Sequence, residues 1–161
     1  MQRESRTMPG MTNRRTILAT LFTCLVGLVT APVAFGQGKT SENVVKTSVK
    51  ESVAKDGKRL LLVNLEITNG WHLYANPAGN EDLDSVKTAI TVPGEKAEVA
   101  YPKGKQVIDP LVGNYSTYEG KQKIEVRLPA GHTGPVKLVL TFQACDEKNC
   151  LQPAKVTLEV K

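Results

Sequence analysis

Two cysteines, Cys145 and Cys150, are the residues of this 161-residue chain best suited to chemistry, and four polar residues separate them. Every second position on both sides of the pair is apolar, at Val136, Leu138, Leu140, Phe142, Val156, Leu158 and Val160. Period-two alternation on both sides of a short polar link predicts a β-hairpin. Residues that face each other in such a hairpin have Cα atoms about 4.5–5.5 Å apart, which a disulfide accepts. The two thiols are therefore expected to bond to each other.

Such a disulfide could be a permanent staple or a redox switch. In the chain-entropy model, closing a loop of about 6 residues stabilises a protein by roughly 2 kcal/mol, against about 3 kcal/mol for 15 residues. A bond that served to hold the fold together would gain more by linking distant strands. The short separation therefore favours a switch, and a local hairpin staple in a secreted protein is the alternative.

The residues around the pair predict how its thiols behave. Cys145 follows Gln143 on the face opposite Leu140 and Phe142, so its side chain is expected to point away from the core. Asp146 and Glu147 would raise the pKa of a neighbouring thiol, whereas Lys148 would lower it. No strongly activated thiolate is expected, which suits a relay better than a free-standing catalyst, and whether the chain is itself an enzyme stays open.

The sequence around the cysteines resembles the active-site hairpin of a known family, the N-terminal periplasmic domain of the thiol:disulfide interchange protein DsbD. The similarity lies in Thr141–Cys145 and, after the spacer, in Cys150-Leu151-Gln152-Pro153. Asn69–Tyr74 is similar to the family's Gly-aromatic-x-Leu-Tyr strand, and the likeness extends from roughly Val44 to Lys161. The cysteine spacer is one residue shorter than in the best-known members.

The resemblance implies an immunoglobulin-like sandwich and a relay function without a cofactor. The oxidised hairpin would receive electrons from a membrane-domain partner, and the reduced hairpin would pass them to exported, thioredoxin-like oxidoreductases. Cys150 would form the mixed disulfide. Since the chain ends at Lys161, after the last predicted strand, the membrane and thioredoxin-like domains are expected to belong to separate proteins.

The resemblance also implies a set of residues around the cysteines. Site-lining positions would be Trp71, His72, Tyr74 and Gln143, although the lone tryptophan of a sandwich is more often a core residue. A cap that shields the cysteines in the family falls on 108–113, with Asp109, Pro110, Leu111 and Val112 as its candidate residues. Leu111 and Val112 stand where the family has aromatic rings, so the alternative for this stretch is an ordinary Pro-Gly loop.

The first 36 residues are typical of a secretory signal peptide. Arg14 and Arg15 precede an apolar run from Ile17 to about Val33, and the segment Ala34–Gly36 has the small residues that cleavage requires. The paired arginines leave the twin-arginine route open, but ordinary secretion fits the flanking residues better. Residues 37–43 are expected to be a flexible lead and 44–161 the single domain, periplasmic or secreted and not membrane-spanning once the signal is removed.

Removal of the signal leaves 17 basic and 15 acidic residues, a net charge of +2 in place of the +5 of the whole chain. The lysines are scattered among acids and form no stripe with aromatic residues, so nucleic acid is not an expected partner. Cys145 and Cys150 are the two cysteines that remain after residues 1–36 are removed. They belong to a chain that is expected to be exported, where disulfides form and persist.

The remaining pattern predicts an all-β protein, an antiparallel sandwich of immunoglobulin type. Eight or nine short strands follow one another at about 8–12-residue spacing without a helical period. The clearest strand is Arg59 to Thr68, with one apolar face formed by Leu61, Val63, Leu65 and Ile67. Lys103 to Gly113 has no alternation and is expected to be irregular.

Two other functions compete with the relay. The chain could be a non-redox binding or adaptor module with a structural disulfide, or a copper or zinc carrier. A metal carrier would use His72, His132 and the two cysteines as ligands. Their spacing is unlike that of a compact zinc site, so no metal is expected. The residues form no Ser/His/Asp set, paired-carboxylate cleft or phosphate loop.

Overall fold

The computed structural model describes residues 38–161, apart from 55 and 57, as an all-β protein with two short 3₁₀ helices, Ser41–Val44 and Glu81–Leu83. Its strands are β1 (Val45–Val53), β2 (Arg59–Ile67), β3 (His72–Tyr74), β4 (Ala89–Thr91), β5 (Glu98–Ala100), β6 (Lys105–Val107), β7 (Tyr115–Tyr118), β8 (Lys121–Arg127), β9 (Val136–Phe142), β10 (Ala144–Cys145) and β11 (Ala154–Val160). The predicted signal peptide lies outside the described residues. Within the described ranges, no helix is long and apolar enough to cross a membrane.

The strands form three antiparallel sheets. One sheet has the order β1-β2-β8-β5, a second β10-β3-β7-β6, and a third β11-β9-β4. Every strand pair in these sheets is antiparallel. The predicted all-β, antiparallel fold class is therefore confirmed.

The core contains the apolar faces that alternation predicts. In β2 the side chains of Leu61, Val63 and Leu65 are fully buried, and those of Leu138 and Leu140 in β9 are fully buried as well. Ile124 and Val126 of β8 complete the same cluster, which includes residues from all three sheets. Because this core is continuous, it does not depend on a covalent link to bury its apolar surface.

Three segments differ from the sequence prediction. Lys105–Val107 forms β6 within the stretch expected to be irregular. Because β6 is an edge strand in which only Val107 is partly buried, its sequence shows no alternation from which a strand could be predicted. The two residues of β10 are too few for a periodic signal. In the expected flexible lead, Ser41 begins a 3₁₀ helix and is fully buried.

We predict that the fold survives loss of the disulfide described below. Replacing both Cys145 and Cys150 with serine should lower the free energy of unfolding by about 2 kcal/mol, the value for a loop of about 6 residues. Leu138→Ala, which opens a cavity at a fully buried position, should cost about 2–5 kcal/mol. Urea unfolding of the three proteins measures both effects, and an unfolded double-serine variant would show that the disulfide is a staple.

Candidate functional site

The cysteines lie at the end of the hairpin formed by β9 and β11, where the chain changes sheets. The ladder between the two strands ends at the pair Phe142 and Ala154. After Phe142 the chain continues as β10, which pairs with β3 so that Ala144 faces Leu73 and Cys145 faces His72. One hairpin thereby connects two sheets, and the cysteine loop is attached to both.

Cys145 and Cys150 form a disulfide, with Cα atoms 4.0 Å apart across an isolated antiparallel bridge. The two residues differ sharply in exposure: Cys145 is 2% exposed, whereas Cys150 belongs to the exposed residues of the loop. Cys145 points away from the core as expected, because it faces His72, whereas Ala144 faces Leu73 and belongs with it to the core cluster. Alternation therefore continues from β9 into β10, and Cys145 is buried on its outward face, where the Tyr74 hydroxyl lies 3.7 Å from its sulfur.

The loop between the cysteines is held by its own hydrogen bonds. The Asp146 carboxylate accepts hydrogen bonds from the backbone N–H groups of Lys148 and Asn149, at 2.7 and 2.6 Å. The backbone N–H of Asp146 donates to the carbonyl of Asn149 at 2.9 Å. These backbone donors hold the pKa of Asp146 below its ordinary value, so the carboxylate stays ionised beside the disulfide at neutral pH. None of these bonds involves a sulfur atom.

An open groove runs over the disulfide, and its lining comes from several strands. We call it the cysteine groove; it is lined by His72, Tyr74, Val107, Tyr115, Thr117, Glu119 and the segment 145–150. Both cysteines line the groove and Cys150 is an exposed residue, so the disulfide can be approached from solvent.

Tyr74 lies closest to the two sulfurs. Its hydroxyl oxygen is 3.7 Å from Cys145 Sγ and 4.0 Å from Cys150 Sγ. Its ring packs edge-on against Tyr115, at a centroid distance of 5.8 Å. Burial, and to a lesser degree Tyr115, raises the pKa of Tyr74. The hydroxyl therefore keeps its proton at neutral pH, and it can donate that hydrogen to a thiolate when the disulfide opens.

His72 lies on the other side of Tyr74, in edge contact with it at 6.1 Å between ring centroids. Burial lowers the pKa of His72, while the carboxylates of Glu119 and Asp146 act in the opposite direction and Lys105 acts with burial. Desolvation is the largest of these effects, so the imidazole is expected to be neutral at pH 7. The sulfurs therefore have no positively charged imidazole next to them at that pH.

The other predicted site residues lie around the groove rather than in it. Trp71 packs, partly buried, against the core and lines a neighbouring cleft with Glu119 and Glu147. Gln143 spans the hairpin, and its side-chain amide donates to the Leu151 carbonyl at 3.0 Å. Sequence reasoning did not single out Tyr115 and Glu119 because both come from β7 and its end, far from the cysteines in the chain.

The predicted cap segment does not line the cysteine groove in this structure. Asp109 accepts hydrogen bonds from the backbone N–H groups of Leu111 and Val112, which closes the segment into a local turn together with Pro110. Leu111 is 93% exposed and Val112 55% exposed. The role of this turn as a cap stays a prediction.

The structure does not gather the residues of the metal-site alternative. His132 lies beside Glu95, with 3.3 Å between Nε2 and the carboxylate, and it does not line the cysteine groove. In the part of the chain that the structure describes, no group of three or more His, Cys, Asp or Glu side chains is arranged to hold a metal ion.

Comparison with known proteins places these observations in one family. A family model described as "Thiol:disulfide interchange protein DsbD, N-terminal" matches residues 41–161. No curated protein matches the chain.

Solved structures share the fold at low sequence identity. The reduced N-terminal domain of DsbD from Neisseria meningitidis is 19% identical, with a TM-score of 0.55 over 76% of this chain and 89% of that one. A complex between the DsbD and PilB N-terminal domains of the same organism matches with 21% sequence identity and a TM-score of 0.53. The match covers 70% of this chain and 80% of that one. The N-terminal periplasmic domain of ScsB from Proteus mirabilis matches with 14% sequence identity and a TM-score of 0.56. The match covers 73% of this chain and 46% of that one. These likenesses confirm the predicted immunoglobulin-like fold.

We predict that His72 titrates below the ordinary histidine pKa of 6.5, because burial disfavours its charged form. The unfolded chain would then bind a proton more readily than the folded one. The contribution of His72 to stability should therefore be complete above about pH 6.5 and decline as the pH falls from that value through the folded pKa. An NMR titration measures the pKa of His72, and the variant His132→Gln assigns the signals of the two histidines. A titration midpoint of His72 at or above pH 6.5 would contradict the prediction.

Proposed function

The chain belongs to the family of N-terminal domains of the thiol:disulfide interchange protein DsbD, as its cysteine hairpin indicated, and we propose that it relays electrons between exported proteins through Cys145 and Cys150. One observation carries the proposal: the disulfide joins an exposed residue, Cys150, to a buried one, Cys145, and both line an open groove. A bond that serves only as a staple needs no such access.

Burial selects the sulfur that is attacked. Thiol–disulfide exchange requires an attacking thiolate to reach one sulfur in line with the bond, so access decides the site. Cys150 is exposed, and Cys145 is 2% exposed. An incoming thiolate therefore attacks Cys150, the disulfide breaks, and Cys145 leaves as the thiolate beneath the Tyr74 hydroxyl, from which it accepts a hydrogen bond.

The relay is balanced over two exchanges. In the first, a dithiol donor attacks Cys150, and its second thiol then resolves the mixed disulfide. The donor leaves as a disulfide, and the pair has gained two electrons and two protons. In the second exchange, the Cys150 thiolate attacks the disulfide of an exported recipient, and Cys145 resolves the new mixed disulfide. The original bond is restored, and the recipient carries the two electrons and two protons as a dithiol.

The weak activation of the pair suits this role. Asp146 is ionised beside the sulfurs and His72 is neutral at pH 7, so the thiols have an unfavourable electrostatic environment for forming thiolates. Reaction is then fast only where a partner supplies the thiolate or changes the environment by covering the groove. A module of this kind avoids exchange with the wrong thiols, which a relay between defined partners requires.

Related domains support both the redox change and the partnership. One relative has been solved in its reduced form, and a DsbD N-terminal domain has been solved in complex with the PilB N-terminal domain. For this chain we propose thioredoxin-like exported proteins as recipients and a membrane electron donor as the source. We also propose a periplasmic or secreted location, which the signal-like sequence of residues 1–36 and the periplasmic setting of the ScsB domain support.

The attack on Cys150 can be tested with a matched pair of variants. Cys145→Ser leaves Cys150 as the free thiol of the hairpin, and Cys150→Ser leaves Cys145. Each is mixed with a thioredoxin-like protein whose single active-site cysteine carries a thionitrobenzoate group, and release of that group is followed at 412 nm. We predict that the variant retaining Cys150 reacts at least about tenfold faster, since access limits exchange.

The control is the circular dichroism of the two variants, which should be equal and β-rich. Equal reaction rates, or a faster reaction of the variant that retains Cys145, would contradict the proposed route. Failure of both thiols to react, in folded proteins, would favour the adaptor module with a structural disulfide.

A further inference from the structure

Ser41 connects the two ends of the cysteine loop. Its side chain is fully buried, although it precedes the cysteines by more than a hundred residues. The hydroxyl oxygen accepts a hydrogen bond from the backbone N–H of Ala144 at 2.8 Å and donates to the backbone carbonyl of Gln152 at 2.8 Å. The backbone N–H of Ser41 donates to the same carbonyl at 2.9 Å.

These bonds fasten the hairpin immediately outside the disulfide. Ala144 precedes Cys145, and Gln152 is the second residue after Cys150. Ser41 therefore bridges the two chain segments that carry the sulfurs. One backbone bond between them, from the Leu151 N–H to the Ala144 carbonyl at 2.9 Å, lies inside this bridge. None of the bonded atoms is a sulfur, so the same bonds are available when the disulfide is open.

Ser41 is itself held in place by a local capping arrangement. The Asn43 side chain accepts a hydrogen bond from the backbone N–H of Thr40 at 2.8 Å, and the Asn43 N–H donates to the Thr40 carbonyl at 3.0 Å. These two bonds close the start of the 3₁₀ helix Ser41–Val44. The helix leads directly into β1, so the bridge is anchored to the sheet β1-β2-β8-β5.

We propose that Ser41 is a positioning residue for the dithiol, which keeps Cys145 and Cys150 within bonding distance after the disulfide opens and so sets its equilibrium with other thiols. The inference rests on the proposed relay. The equilibrium constant for closing a disulfide rises with the effective concentration of one thiol at the other. A bridge at the mouth of the loop raises that concentration because it limits how far the two segments separate in the reduced state.

Ser41→Ala removes the hydroxyl and leaves the buried Ala144 N–H without its partner. In the oxidised state the disulfide keeps the loop closed, so the N–H cannot reach water. In the reduced state the loop can open and hydrate that group, which favours the reduced form. We expect the equilibrium constant for oxidation by glutathione to fall by about three- to tenfold, as for one hydrogen bond; a tenfold fall raises the reduction potential by about 30 mV.

The matched control is Ser116→Ala. Ser116 is also a buried serine, 6% exposed, but its hydroxyl accepts a hydrogen bond from the Gln106 side chain of β6 at 2.8 Å, rather than bonding to the cysteine hairpin. Its equilibrium with glutathione should stay within about twofold of that of the wild type. A merely destabilising effect of removing a buried hydroxyl would shift the unfolding midpoint in both variants without shifting this equilibrium.

Asn43→Ala provides a second variant in case reduced Ser41→Ala does not fold. Asn43 is exposed, so this change loosens the support of Ser41 without disturbing the core, and it should move the equilibrium in the same direction by a smaller factor. An unchanged equilibrium in folded Ser41→Ala, or in Asn43→Ala where the first variant is unfolded, would overturn the proposal. The proposed relay is tested separately by the reduction potential of the wild-type pair, since a potential below about −300 mV would reject it. Even then, the ratio of the equilibrium constants of Ser41→Ala and the wild type could be measured against dithiothreitol, a stronger reductant than glutathione.

Discussion

The pairing of β10 with β3 is the interaction on which the site depends. It draws the chain out of the β9–β11 hairpin at Gln143 and buries Cys145 opposite His72, while Cys150 remains exposed in the loop. Without this pairing, no neighbouring strand would cover the outward face of Cys145, and both sulfurs would be similarly accessible. The same pairing brings Tyr74, at the end of β3, to within 4.0 Å of both sulfurs. The burial of Cys145 and its hydroxyl neighbour therefore depend on one short piece of backbone pairing, and the proposed attack on Cys150 depends on it as well.

A relay also needs a scaffold that does not change with the redox state. The continuous apolar core satisfies this requirement, because it draws on all three sheets and the disulfide closes only a short loop. The loop has its own fastening in the Asp146 carboxylate, and Ser41 holds its two ends from outside. Opening the bond therefore releases two sulfurs within a hairpin that is otherwise held by hydrogen bonds. The proposed relay would therefore change its redox state with little change in its structure.

Much of the fold could be predicted from the sequence, because alternation reports burial directly. The faces at Leu61–Leu65 and Leu138–Leu140 are buried as predicted, and the cysteine hairpin and its disulfide formed as expected. The burial of Cys145 could not be predicted, since alternation gives the face of a side chain but contains no signal for the neighbouring strand, here β3 with His72 and Tyr74, that covers it. The place of Ser41 was missed for a related reason: a polar residue in a polar segment shows no pattern, and its partners are more than a hundred residues away.

The central claim is that the bond between Cys145 and Cys150 opens and recloses while the protein works. The reduction potential of the wild-type domain, obtained by equilibration with glutathione buffers and quantified from the alkylated thiols, tests this most directly. We expect a value in the range of exchanging dithiol proteins, between about −270 and −120 mV. A potential below about −300 mV, which is typical of structural disulfides, would contradict the claim and identify the bond as a permanent part of the fold.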